Sequence, residues 1–546
     1  MLFGGHQSHG KETAMEIRME SHEGAVVGSP SEVIRHFEQE ARVRQREWAE
    51  RLAKQPELLC EIEEEINQHF RLGAGHLTAA LLGQVTCQPA MEEHVERVRG
   101  EATVDLKAPQ QRPLCVRLLC GLVLFIRPCY CPPRRGKEDG RASREEEHAG
   151  LYPELAALGF GKGCSPALQY TVARIVALSP SIEVARKELR RQGISLDKKA
   201  VRRIAEQLGL QLLALRQREL LAWRAGVLAQ GNELSGRRVA VQIDGGRIRL
   251  RENKKQRKRG GGTKRRRKKF STPWREPKVL TIFEIDDQGK MVKTHQQPLI
   301  DGTLLGPDHL AELVAYHLYR LGAADAELVV FVADGAPWIW DRLDWIVGRA
   351  GVDPSRTARV LDFCHAAHHI SLALKTLALP ERRRRELYQR LRKLLKRSRY
   401  DEVVKQLERL SRREPEDSEV WVEIRYLRKH GEQGHLQYAT FRRRGIPCGS
   451  GAVESAIRRV INQRLKSNAM YWLPENAEAM FAVRATLLCD RWEETLFRVR
   501  RTMAHDRRLH WTWDVSNTSS KLNANAEAKP PQPQHAATQE PTASAA

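Results

Sequence analysis

The chain lacks any apolar run long enough to cross a bilayer. Its best candidate, Leu118 to Ile126, is short and interrupted by Cys120 and Gly121, whereas a spanning helix needs about 20 apolar residues. The N-terminus, Met1-Leu2-Phe3-Gly4-Gly5-His6, has neither the basic start nor the apolar stretch of a secretory signal. Ten cysteines are scattered over 546 residues, too thinly for a disulfide framework. A cytoplasmic protein is therefore expected. Acid is also scarce relative to base: Lys+Arg number 92 against 68 Asp+Glu, a formal net charge of +24. Such an excess calls for a polyanionic partner, of which nucleic acid is the commonest, with an anionic membrane surface as the alternative. Three catalytic signatures are missing as well. There is no Gly-Lys-Ser/Thr phosphate loop, no zinc-protease His-Glu-x-x-His and no Gly-x-Ser-x-Gly elbow.

What is present centres on Val239-Ala240-Val241-Gln242-Ile243-Asp244-Gly245-Gly246. The apolar part reads as a strand buried on both faces. An unpaired acid is very costly inside such a strand, but at its end Asp244 can face a cleft while the glycines allow close approach. Leu328 to Val332, followed by Ala333-Asp334-Gly335, repeats the design. Two strands that each stop at Asp-Gly suggest paired carboxylates at one sheet edge, a natural site for a hard cation. Two unrelated Asp-Gly turns are the plainer reading.

Around this pair the sequence divides by composition. Residues 1–30 are polar and without periodicity, and residues 515–546 are rich in Asn, Ala, Pro and Gln; both read as disordered. Residues 31–101 carry helical periodicity, with helices expected over Ser31–Arg51 and Pro56–Phe70 and a shorter apolar piece over His76–Leu82. Residues 102–165 change to strand-like composition and contain Cys129-Tyr130-Cys131. A structural zinc site needs four ligands. Here the pair is one residue apart rather than two and Cys164 is the only near companion, so ordinary thiols are preferred and structural zinc is not expected. Residues 166–229 read as helices over Ala167–Ala177, Ser181–Gln192 and Ser195–Leu208, continuing from Gln211 to Ala229. Helix, glycine turn, basic helix is the helix-turn-helix pattern. Lys198, Lys199, Arg202 and Arg203 would face DNA; a three-helix packing unit with a solvated basic face is the alternative.

A core over 236–375 follows, with a basic loop at 251–275 that includes Lys254, Lys255, Arg257, Lys258, Arg265, Arg266 and Arg267. Such a loop beside a cleft can clamp phosphates. Val279–Ile285 is the next strand, with Met291–Gln296 expected to pair back, and Pro307–Leu321 reads as a helix. Ala336–Gly348 reads as a helix whose Trp338, Trp340 and Trp345 pack a core. A short strand over Ala358–Leu361 ends at Asp362-Phe363-Cys364-His365; His365 and His369 lie one helical turn apart, while His368 and His369 read as surface or packing residues. Residues 376–440 read as a helical, basic insertion. Residues 441–505 complete the core: Gly449-Ser450-Gly451-Ala452-Val453-Glu454-Ser455 opens a helix followed by Arg458 and Arg459, and Ala477–Arg500 reads as a final amphipathic helix. Glu454 on its own could be a first-turn acid favoured by the helix dipole.

The blocks Val241-Gln242-Ile243-Asp244-Gly245-Gly246, Val332-Ala333-Asp334-Gly335-Ala336 with Trp338-Ile339, Asp362-x-x-His365, and Gly449-Ser450-Gly451 with Val453-Glu454-Ser455 resemble those of bacterial insertion-sequence transposases of the ISKra type. The likeness covers roughly residues 100–500 and is most specific at the Glu454 block, with Asn462-Gln463-Arg464 and Lys466 behind it. It implies an α/β fold: an RNase H-like mixed-sheet core carrying a helical insertion and preceded by a helix-turn-helix region. Asp244, Asp334 and Glu454 would form a DDE set holding two Mg²⁺ (or Mn²⁺) ions, about 3.5–4 Å apart as in other two-metal sites, and His365 would contact the transition-state phosphate. The implied partners are double-stranded DNA, both element ends and target, and further copies of the chain in a dimer or larger assembly. Members often carry a fuller Cys-x-x-Cys knuckle before the helix-turn-helix, which this chain lacks. A same-fold nuclease or junction resolvase that cuts without joining, and a non-catalytic DNA-binding regulator, stay open at this point.

Overall fold

A computed structural model describes residues 16–19, 29–86, 88–102, 105–133, 150–253, 269–293, 298–505 and 511. The chain divides into two compact units, one built from residues up to Leu215 together with Glu493–Trp511, the other from Arg216–Trp492. No described helix is long and apolar enough to cross a membrane. The expected disordered ends, apart from a short strand, Ser29 and the first residue of the first helix, and the basic residues Lys254, Lys255, Arg257, Lys258, Arg265, Arg266 and Arg267 lie outside the described residues.

The first unit opens with two long helices, α1 (Pro30–Lys54) and α2 (Leu59–Val85). Ser29 and Glu32 close a reciprocal capping box at the start of α1, which satisfies two otherwise orphan backbone donors. The helices run antiparallel. Phe37 stacks on His69, while Trp48 and Arg51 both reach Glu65. The expected break between Phe70 and His76 is absent, and one helix runs through Gly73 and Gly75. A Cβ at Gly73 would lie 2.1 Å from the Phe37 ring, so that glycine is there for contact with α1. A small sheet follows, in which β1 (Glu16–Met19) and β2 (Leu114–Arg117) flank β3 (Val123–Arg127), all antiparallel. Next come α3 (Pro166–Leu178), α4 (Ile182–Arg191) and α5 (Lys198–Arg224). Ser181 caps α4, and the Asp197 side chain accepts the Lys199 and Ala200 N–H groups to start α5. Leu168, Val172, Ala185, Leu189, Val201, Ile204 and Leu208 are buried between the three helices. Lys198, Lys199, Arg202 and Arg203 are exposed. The separate helices expected over Ser195–Leu208 and from Gln211 are one element, because Gly209 is tolerated within a helix otherwise rich in good formers.

The second unit is built on a five-stranded mixed sheet. Its strands are β4 (Arg238–Gly245), β5 (Lys278–Glu284), β6 (Leu299–Thr303), β7 (Leu328–Ala333) and β8 (Thr357–Leu361), in the order β6-β5-β4-β7-β8. β5 is antiparallel to both β6 and β4, whereas β7 runs parallel to both β4 and β8. One expectation is corrected here. The strand that pairs along β5 is Leu299–Thr303; of the expected return, Met291 bridges Ile285 and the Val292 N–H donates to the Glu284 carbonyl, while Thr294–Gln296 lie outside the described residues. Both faces of the sheet are covered, which is why the strands read as continuous apolar runs rather than alternating ones. Val239, Val241, Ile243, Val329 and Phe331 pack under α6 (Pro307–Arg320) and α7 (Leu343–Ala350). Ala240, Val330, Val332 and Val360 pack against α8 (Phe363–Thr376) and the insertion helices α9 (Glu381–Lys396), α10 (Tyr400–Leu410) and α11 (Glu419–Glu432). The helix expected over Ala336–Gly348 is two pieces, with Pro337–Trp340 separate from α7. The chain then forms α12 (Gly451–Ile457) and α13 (Pro474–Leu488). The single final helix expected over Ala477–Arg500 is likewise two, with Trp492–His505 starting after a break in which Asp490 takes φ +54°.

Candidate active site

Register brings the acids together. Ala333 of β7 lies opposite Ile243 of β4 and opposite Leu361 of β8. The residues that follow, Asp334, Asp244 and Asp362, therefore fall at one level on three adjacent strand ends, with neighbouring strands about 4.8 Å apart. Side chains alternate along a strand, and Asp244 shares the parity of Ala240 and Gln242, as Asp334 shares that of Val330 and Val332. Both thus belong to the face that carries α8, the insertion and α12. The glycines after the acids allow close approach. A Cβ at Gly335 would lie 1.8 Å from the Tyr426 hydroxyl of α11, and one at Gly246 would lie 2.4 Å from Ile461.

Glu454 reaches this edge through a residue that interrupts the apolar run of β4. Gln242 is 2% exposed. Its Nε2 donates to the Gly449 carbonyl at 3.0 Å, and its Oε1 accepts the Ala452 and Val453 N–H groups at 3.0 and 3.1 Å. It thereby caps α12, whose first-turn donors have no partner within the helix, and fixes the Glu454 helix to the strand that bears Asp244. A second tie comes from Asp362. This buried carboxylate accepts the His365 N–H at 2.8 Å, starting α8, and accepts the Ser450 N–H and hydroxyl at 2.7 and 3.0 Å. Ser450 Oγ also lies 3.3 Å from Glu454 Oε1, so its single proton serves one carboxylate at a time. Beyond α12 the helix continues as one π-helical turn, Arg458–Asn462. The Arg484 guanidinium of α13 donates to the Arg459 and Val460 carbonyls there. Such turns tend to occur at functional sites.

Burial pushes the Asp244 carboxyl up to about 6. The Gly245 N–H and His365 oppose this, while the negative fields of Asp334 and Glu454 reinforce it. Asp334, Glu454 and His365 thus lie within electrostatic reach of Asp244. Asp244, Asp334 and His365 are half-buried and Glu454 is exposed. Among the described residues no three His, Cys, Asp or Glu side chains gather closely enough to hold one ion together. Mg²⁺ does not require three; it takes one or two carboxylates with the rest supplied by water and phosphate. The all-oxygen pairs Asp244 with Asp334, and Asp244 with Glu454, fit that demand.

Other sequence candidates lie elsewhere. His369 pairs with Glu423 and stacks on Tyr426 at 3.6 Å, a packing role. Trp340 donates to the Asp334 carbonyl at 2.6 Å and stacks on His435 at 4.2 Å, so it supports the site as well as the core. Arg458 is exposed and Arg459 half-buried. Burial pushes the Cys129 thiol up to about 12, with Cys131 adding to the effect, and Cys164 to about 11; a metal-binding thiol must ionise. The sequence assigns Gln242 and Tyr426 no role of their own, and Asp362 only its place in the Asp362-x-x-His365 block. Gln242 had left a readable signal as a lone polar residue within a buried run. Comparison with protein-family models, curated proteins and solved structures finds no match.

Proposed function

We propose that the chain is the DNA transposase of an insertion sequence, with an RNase H-like core in which Asp244, Asp334 and Glu454 act as a DDE set. The carrying observation is the equal level of Asp244 and Asp334 on parallel neighbours, with the Glu454 helix bound to the same strand through Gln242. A divalent ion held by each carboxylate pair would supply Lewis-acid stabilisation of a developing 3′-oxyanion. The chain's own groups do the rest. Asp334, whose backbone carbonyl is held by Trp340, keeps its carboxylate turned by the Ala336 N–H at 3.0 Å. His365, within electrostatic reach of Asp244, would donate to a phosphate oxygen. The exposed basic face of α5 reads the element's ends, and two copies or more pair them.

The test uses the full chain with DNA flanking its reading frame, in Mg²⁺. Asp244→Asn is expected to remove cleavage and joining while leaving end binding largely intact. Cleavage at the normal rate by this variant would contradict the assignment. Joining of pre-cleaved ends by the unaltered chain is also expected; its absence, with cleavage retained, would reassign the site to a nuclease or junction resolvase.

A further inference from the structure

Beyond the carboxylates the same two chain segments line a second feature. Past Gly246, Ile248–Arg249 pairs antiparallel with Trp274–Arg275, setting Arg249 opposite Trp274. Asn462, at the end of the π-turn, and Lys466, Ser467 and Asn468 beyond it join Arg249 and Trp274 around a cleft of about 300 Å³. Trp274 is 42% exposed. The Arg247 and Arg249 guanidinium carbons lie 5.4 and 5.1 Å from its ring centre and the Lys466 ammonium 5.8 Å. Next to it is a second platform. Phe270 and Tyr471, exposed at 37% and 44%, lie 5.3 Å apart, with Arg251 4.3 Å over the Phe270 ring. The two are continuous, because Trp472 pairs with the chain at Arg249 and Arg251.

Packing does not account for this grouping. None of Arg247, Arg249 and Lys466 is in an ion pair among the described residues; the neighbouring acids Glu252 and Glu276 are engaged by Arg275 and Lys278. Three uncompensated cations around one ring repel each other, and an anion relieves that. Trp274 remains partly exposed beside these cations, with polar amide and hydroxyl groups at the rim of the cleft. Exposed aromatic faces alternating with cations are the means by which proteins hold single strands, bases stacking while the cations follow the backbone. A base inside a duplex has no free face to offer, so only an unpaired nucleotide can use the indole. The volume sits at the lower limit for small-molecule pockets, the scale of one nucleotide.

We infer that the Trp274 cleft binds an unpaired nucleobase of single-stranded DNA, with Arg249 and Lys466 on its phosphates. This rests on the transposase reading only for the origin of that strand. Asn462 lies eight residues beyond Glu454, about 12 Å along a helix, so a strand held at the carboxylates continues into the cleft within a few nucleotides. The test measures fluorescence anisotropy of the full chain with a labelled single-stranded DNA, the same strand made abasic, and its duplex, in chelator at one salt concentration. The unaltered chain is expected to prefer the intact strand over the abasic one by roughly 5- to 100-fold, the range of one stacked base. Trp274→Ala should reduce that preference at least fivefold and leave duplex affinity within about twofold, while Trp274→Phe retains most of it. Lys466→Ala should weaken intact and abasic strands in equal proportion. A preference that survives Trp274→Ala, or a duplex affinity that falls in step with it, overturns the inference. This binding assay contains no divalent ion, whereas the catalytic reading is tested by cleavage in Mg²⁺, so loss of the catalytic reading and loss of this one are separable.

Discussion

At the scale of single residues, the role proposed for Asp244 sets function against stability. Its carboxyl is raised from 3.8 to about 6, first by burial. A raised carboxyl contributes stability that is complete below its unfolded pKa and is lost as pH climbs through the folded one. Asp244→Asn should therefore stabilise the second unit by about 1–3 kcal/mol near pH 7, with the gain vanishing by about pH 4; denaturant titrations at the two pH values measure it. Gln242 presents the reverse case. Gln242→Ala would leave the Gly449 carbonyl and the Ala452 and Val453 N–H groups without their partner. An unfolding loss of about 1–3 kcal/mol is expected, together with a drop in DNA cleavage and no change in DNA binding. Unchanged cleavage would mean that Glu454 does not need this tether.

At the scale of elements, a buried charge cluster ties α5, β6 and α13 together within the second unit. Arg216, its side chain 10% exposed, holds Asp301 at 2.9 Å and the fully buried Glu478 at 2.8 Å, and His317 joins Asp301 at 2.8 Å. Burial alone would raise the Asp301 carboxyl, but Arg216 and His317 hold it well below the usual range. Removing one partner of such a cluster strands the others. Arg216→Ala should lower stability by about 3–5 kcal/mol, read as a fall in the unfolding midpoint, whereas Arg382→Ala at the exposed Glu386 pair should cost under about 1 kcal/mol. Periodicity does not reveal this cluster, because its members are 85 and 262 residues apart in the chain.

At the scale of the whole molecule the net charge of +24 governs association. Binding to duplex DNA should weaken steeply with salt, each phosphate contact adding about 0.9 to the logarithmic slope. Replacing Lys198, Lys199, Arg202 and Arg203 together by alanine should reduce that slope by about 3–4 and weaken binding across all sequences. A slope that does not move would show that the basic face of α5 stays in water.

Local chemistry alone set the strand bodies, the terminal aspartates and the helix starts of this chain. An apolar run such as Val239–Ile243 has no stable place but a covered sheet, and Ser181 and Asp197 are natural caps. Element ends were less legible, since Gly73 sits within a helix where contact with Phe37 outweighs propensity, and Gly209 within one whose other residues are good helix formers. Nor could sequence tell which strand pairs with β5, because Met291–Gln296 and Leu299–Thr303 compete only once the sheet is assembled. The common level of Asp244, Asp334 and Asp362, and the capping of α12 by a glutamine some 200 residues earlier, were decided by strand register. Register depends on how both faces of the sheet are filled, and that is a property of the packed chain rather than of any stretch within it.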